Sequence, residues 1–255
     1  MRITIFAATA LAAAALVTVP AGTASARTPC SSLEIQAHRG YHYGRIDQNT
    51  VPSFNEANRR GYTIETDVWH DAQGQLWVYH DRDVSKLSTG TGLIDQMTTA
   101  QVEKLRYKKA GSPLPKFEEA VAAWKAYPNR RIYIEPKQRT AIAPMVRQLR
   151  AAGLVNNIYF AGYWQYVENN FPDFRTAPKT SGYSPASNWT RYDAVMLQAR
   201  HMTLGNVAEY KQAGLEVLHT RANLENVWRD AINKNYDGIM TDRPNELLAF
   251  CRTLQ

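Results

Sequence analysis

Long apolar runs are almost missing from this chain of 255 residues. The one uncharged run, Ile3 to Val19, counts 17 residues, at the short end for a bilayer span, so a multi-pass membrane protein is excluded. Low-complexity stretches and sequence repeats are missing too. With 44% hydrophobic, 21% charged and 11% aromatic residues, neither a disordered nor a collagenous chain is possible. Lys and Arg outnumber Asp and Glu, 30 to 23, yet no basic arm exists. Only scattered pairs occur, such as Arg59-Arg60, Lys108-Lys109 and Arg130-Arg131. That distribution gives no nucleic-acid partner; plain solubility or an anionic small substrate accounts for the formal charge of +7. Cysteine is limited to Cys30 and Cys251, near the two ends.

The apolar run follows Met1-Arg2 and precedes Pro20, Gly22 and Ala24-Ser25-Ala26, the layout of a secretory signal peptide over residues 1–26. Arg27-Thr28-Pro29 before Cys30 lacks the small and aliphatic residues of a lipoprotein signal, so no membrane anchor is expected. Cleavage after Ala26 removes 26 of 255 residues and one of the positive charges, leaving 229 residues and +6. That is one domain, residues 27–255, secreted or periplasmic. Export implies an oxidising compartment, and a Cys30–Cys251 disulfide tying the two ends is the expectation, with two free buried thiols as the alternative.

Eight short β-rich runs recur: Glu34 to His38, Thr63 to Asp67, Leu76 to His80, Arg131 to Glu135, Asn157 to Ala161, Ala194 to Gln198, Glu216 to His219 and Gly238 to Thr241. Helical patterns follow over Val51 to Arg60, Lys116 to Tyr127, Ala141 to Ala152, Tyr163 to Asn170, Leu204 to Ala213, Leu224 to Asn235 and Pro244 to Cys251. Strand and helix in alternation at this length predict an α/β protein, a (β/α)8 TIM barrel. After the third run, the loop Lys86 to Gly92 and a helix-like piece around Thr99 to Leu105 predict an insertion over one mouth. A doubly wound sheet is the alternative fold, without a Gly-x-Gly-x-x-Gly after the first strand to support it.

Barrel chemistry belongs at strand carboxyl ends, and reactive residues gather there: His38-Arg39, Glu65-x-Asp67, His80-Asp81 and Glu135-x-Lys137. Residues two apart share a strand face, so Glu65, Asp67 and Glu135 can converge on one mouth. Close carboxylates need a proton or a cation, and an all-oxygen set selects Ca²⁺ or Mg²⁺. Salt bridges to Arg39 and Lys137 are the competing use of the same groups. His38 and His80 suit proton transfer, whereas His42, His70 and His201 join no strand-end charge cluster and read as structural; His219 stands at a strand end but reads as structural too.

His38-Arg39-Gly40, Glu65-x-Asp67, Val78-Tyr79-His80-Asp81, Thr89-Gly90-Thr91-Gly92, Leu114 to Ala120, Ile134-Glu135-Pro136-Lys137 and Asp237 to Pro244 occur in the order of the glycerophosphodiester phosphodiesterase family, which the chain resembles through most of its length. The resemblance implies a metal-dependent phosphodiesterase on the barrel shared with phosphatidylinositol-specific phospholipase C, yielding glycerol 3-phosphate and an alcohol. It implies Glu65, Asp67 and Glu135 as ligands of one divalent cation, His38 and His80 as acid and base, and Arg39 and Lys137 as phosphate-binding cations. Which histidine is acid and which is base stays open.

Two departures stand out. Gln48-Asn49-Thr50 replaces the family's Glu-Asn-Thr, and Leu218-His219-Thr220-Arg221-Ala222-Asn223 replaces its Trp-Thr-Val-Asn, which changes the pocket wall opposite the metal. The expected substrate is a small glycerophosphodiester, with lysophospholipid hydrolysis of the phospholipase D type as the alternative, and the expected state is a monomer. A glycoside hydrolase would need paired carboxylates but neither the histidines nor Arg39 and Lys137. A non-catalytic binding protein would be expected to have lost a ligand or a histidine, and all five are present.

Overall fold

The computed structural model describes residues 30–254, so the expected signal peptide lies outside the described residues. A 3-10 turn, Cys30–Ser32, leads into β1 (Glu34–Ala37). Thr50 caps α1 (Val51–Arg60) by accepting the Ser53 amide; Pro52 stands in the first turn, Arg59 and Arg60 close the last, and Gly61 follows at φ 86°. These are the start and stop signals of an independent helix, and its bounds agree with the sequence pattern.

The chain continues through β2 (Thr63–His70), β3 (Leu76–Val78), α2 (Thr99–Val102), α3 (Phe117–Lys125) and β4 (Ile132–Pro136), then α4 (Ile142–Ala151) and β5 (Ile158–Phe160). It proceeds to α5 (Trp164–Asn170), β6 (Arg175–Thr176), β7 (Ala194–Leu197) and α6 (Leu204–Gln212), and ends with β8 (Glu216–His219), α7 (Glu225–Asn233), β9 (Gly238–Thr241) and α8 (Pro244–Arg252). Parallel pairing runs in the order β6, β5, β4, β2, β1, β9, β8, β7. The stretch after β6 completes the circle, since Met196 N donates to Pro178 O at 2.8 Å and Thr180 N to Met196 O at 3.0 Å. The fold is an eight-stranded parallel TIM barrel wrapped by helices.

Leu76 to His80 is not a barrel strand, contrary to its sequence pattern. β3 runs antiparallel to β2, with Val68 opposite Val78 and His70 opposite Leu76, so the two form a hairpin. The missing barrel strand is β6, only two residues long and begun by an arginine, with too few apolar positions to give a strand pattern. Period-two alternation builds two cores. Tyr133, Tyr159, Ala194, Met196, Leu218 and Met240 form one inside the barrel. Ile64, Ile132, Ile134, Phe160, Val217 and Ile239 join the larger core that includes helix residues such as Phe54, Trp124 and Trp228.

The expected insertion packs around its own core of Trp77, Tyr79, Val84, Ile94, Val102, Leu105, Tyr107 and Leu114. Buried Asp47 ties it to the β1–α1 connection by accepting the amides of Ala110 and Ser112, each at 3.1 Å. Cys30 and Cys251 are disulfide-bonded, joining the turn before β1 to α8. Among the described residues, no helix is long and apolar enough to cross a membrane.

Candidate active site

Glu65 and Asp67 lie on the inward face of β2, with Thr63 two residues before them, and Glu135 is paired directly beside Asp67 on β4. Each of the three offers an oxygen within 4.8 Å of the others, as the strand-end spacing implies. Glu65 and Asp67 are each 1% exposed. The cations expected to compete for them also arrive. Lys137 Nζ lies 2.8 Å from Asp67 Oδ1 and 2.6 Å from Glu135 Oε1, and Arg39 Nε lies 3.3 Å from Asp67 Oδ2. Burial alone would raise Asp67, but the charges of Lys137, His80 and Arg39 outweigh it and hold the carboxyl below the usual range.

Glu65 is different. Burial, followed by the Asp67 charge, raises its pKa. It accepts the Arg39 backbone N–H at 3.1 Å, and its nearest ion-pair partner among the described residues is His38 Nε2 at 3.8 Å. A buried acid with no close lysine or arginine, set against an ionised neighbour, fits an all-oxygen site for a hard divalent cation. The Arg39 amide reaches Glu65 from the left-handed region, φ 59°, a conformation that costs about 1–3 kcal/mol for a residue with a side chain.

His38 follows β1 and is held by Asp242, which follows β9: Nδ1 lies 2.5 Å from Asp242 Oδ1. Burial works to raise Asp242, yet hydrogen bonds to His38, His42 and Asn223 keep it far below the usual carboxylate range. An ionised carboxylate only accepts, so Nδ1 carries a proton, and Nε2 is the ring nitrogen that faces Glu65. His80 enters from the hairpin, not from a barrel strand. Tyr79 N donates to Asp67 O at 3.1 Å, which brings the chain back down beside β2, and His80 Nδ1 lies 3.1 Å from Asp81 Oδ1. Burial lowers the His80 pKa; Asp67 opposes this, and Lys137 and Arg39 reinforce it.

The sequence model of the glycerophosphoryl diester phosphodiesterase family matches residues 38–161, a span holding all seven of these expected site residues. Over that span the chain is similar to this family. A curated Mycobacterium tuberculosis protein named "Probable glycerophosphodiester phosphodiesterase 2" is 26% identical over 238 residues, covering 83% of this chain and 88% of that protein. The fold recurs in the crystal structure of a glycerophosphodiester phosphodiesterase from Parabacteroides distasonis, with 21% identity, a TM-score of 0.78, and coverage of 88% and 98% of the two chains. It recurs again in an Oleispira antarctica phosphodiesterase in complex with its product sn-glycerol-3-phosphate, at 20% identity and a TM-score of 0.75, covering 88% of this chain and all of that one.

Four members of the site carry no role in the sequence reading. Asp242 belongs to the Asp237 to Pro244 motif, but nothing local signals that it meets His38. His42, expected to be structural and apart from the charge cluster, places Nε2 3.5 Å from Asp242 Oδ1. Asn49 donates to Asp67 Oδ2 at 3.0 Å, and Lys179, from the stretch closing the barrel, pairs with Glu135. Gln48, the family departure, accepts from Arg39 Nη1 at 3.3 Å, giving that guanidinium a neutral partner where the family pattern has a carboxylate.

Proposed function

We propose that the protein is an exported, monomeric phosphodiesterase that hydrolyses small glycerophosphodiesters to glycerol 3-phosphate and an alcohol with one bound divalent cation, Ca²⁺ or Mg²⁺. The observation that carries this reading is the meeting of Glu65, Asp67 and Glu135 with His38, His80, Arg39 and Lys137 at one barrel mouth. Export rests on the leader pattern of residues 1–26 and agrees with the Cys30–Cys251 disulfide.

A divalent cation held by Glu65, Asp67 and Glu135 would supply electrophilic polarisation of a phosphoryl oxygen. Arg39 and Lys137 move from carboxylate partners to phosphate oxygens, for which a fork of N–H donors and a point charge are suited. His38 takes the proton of the attacking oxygen on Nε2, and Asp242 holds the resulting imidazolium. His80, oriented by Asp81, delivers a proton to the leaving alkoxide.

Hydrolysis of glycerophosphocholine, glycerophosphoethanolamine, glycerophosphoinositol and lysophospholipids, each with Ca²⁺, Mg²⁺ or chelator, tests the reading. Glycerol 3-phosphate should appear from the water-soluble diesters and vanish on chelation. Full turnover after exhaustive dialysis against chelator would reject the cation site, and lysophospholipid turnover alone would move the substrate class.

A further inference from the structure

Between the ends of β7 and β8 and the start of α7 lies a cavity of about 540 Å³. Its polar lining includes Gln198, Arg200, His219, Arg221, Asn223 and Asn226. It shares a wall with the reaction centre. Asn223 Nδ2 donates to Asp242 Oδ2 at 2.6 Å, and Arg221 Nη1 lies 3.4 Å from the same oxygen. Asp242 in turn holds His38, so a group in this cavity is one layer of side chains away from the proposed base.

His219 ends β8 and is 2% exposed. Its Nδ1 contacts the carbonyl oxygen of Thr220, and a carbonyl can only accept. Nδ1 therefore carries the proton and Nε2 is a bare acceptor. Burial pushes the imidazole below its ordinary pKa, which keeps it neutral. That Nε2 is buried without a hydrogen-bond partner among the described residues, a condition native proteins rarely leave unexplained. An incoming O–H would satisfy it.

The rest of the lining narrows the class. Arg200 and Arg221 offer donors, Gln198 and Asn226 offer both donors and acceptors, and the one acid, Asp230, is paired with Lys234 at 2.8 Å. Among the described residues, no Phe, Tyr or Trp lines the cavity. A quaternary ammonium group would need aromatic faces or a free carboxylate, and here it would meet guanidinium groups instead. A hydroxyl-rich alcohol gives an O–H to His219 and oxygens to Arg221. We propose that this cavity receives the alcohol half of the phosphodiester and selects polyol headgroups, of the glycerol or inositol kind, over trimethylammonium headgroups. The proposal rests on the phosphodiesterase reading.

The test compares kcat/KM of the full chain, with divalent cation, on glycerophosphoinositol, glycerophosphoglycerol and glycerophosphocholine. The polyol diesters should lead by about tenfold or more, the worth of a charge-assisted hydrogen bond. Arg221→Ala should remove most of that lead by lowering kcat/KM for the polyols far more than for glycerophosphocholine. His219→Phe should act likewise and His219→Gln, which keeps an acceptor, should act less. Should the buried His219 variants fail to fold, exposed Arg221→Ala and Asn226→Leu still decide the question. Equal rates on all three substrates, or an equal loss on all three in Arg221→Ala, would overturn the subsite while leaving the activity intact. If no diester is cleaved, the activity reading falls, and titration with myo-inositol decides the cavity. A saturable shift of the His219 ring resonances, absent in Arg221→Ala, supports it, and no shift rejects it.

Discussion

At the residue scale, the roles separate by what each side chain can be held by. Asp242 touches His38 across 204 positions of sequence, and its charge both fixes the Nδ1 proton and stabilises the imidazolium form. Asp242→Asn keeps the shape and removes the charge, so kcat should fall by about 10²- to 10⁴-fold with an unchanged melting temperature. A variant within threefold of the parent would make Asp242 structural. His38→Ala and His80→Ala should each lose about 10²- to 10⁴-fold in kcat, and the double variant little more, because the two protons move in one reaction. Multiplying losses would mean that the histidines act independently. The residues legible in the sequence are those that strand periodicity delivers to one place: Glu65, Asp67, Glu135, Arg39, Lys137 and His38. Lys179 follows a two-residue strand and His42 lies in a loop, so neither has a periodic neighbour to announce its direction.

At the scale of elements, the turn from β1 into α1 concentrates the constraints. Arg39 and Asn49 both adopt positive φ, and Asn49 N donates to Arg39 O at 2.8 Å. Gly40 adopts φ 76°, and a Cβ there would stand 2.4 Å from Ser53 Oγ and 2.9 Å from Ser53 Cβ, inside the first turn of α1. Gly40→Ala should therefore destabilise by about 1–3 kcal/mol, read from urea unfolding, and should lower activity by displacing Arg39 next to it. An unchanged midpoint with full activity would show that the turn can shift at no cost. The same scale explains the strand count. The eight sequence runs include an antiparallel hairpin arm and omit β6, so the count of eight agrees with the barrel only through two compensating differences. Apolar alternation reports that a run is extended and buried on one side, and it carries no sign for parallel against antiparallel pairing. His80 reached the site all the same, because the hairpin returns along β2.

At the scale of the whole molecule, the barrel divides its labour between its two ends. The acids and His38 stand toward the carboxyl ends of barrel strands, and His80 reaches the same mouth from the hairpin. Cys30 precedes the amino end of β1, and Cys251 stands in the last turn of α8, which returns to that same end. The disulfide closes a sequence separation of 221 residues. In the chain-entropy picture a loop of this length limits the unfolded ensemble by roughly 5 kcal/mol at most, and measured values are commonly about 2–5 kcal/mol. Replacing both cysteines, Cys30→Ser with Cys251→Ser, should accordingly lower the urea midpoint while leaving kcat at 25 °C near the parental value, since the bond and the chemistry occupy opposite ends. The parent treated with reductant should follow the double variant. If midpoints agree between oxidised parent and double variant, the ends are already fixed by the β1–β9 ladder and the packing of Phe250 and Leu247, and the bond adds nothing to folding. If instead kcat falls with the midpoint, the two ends of the barrel are mechanically coupled.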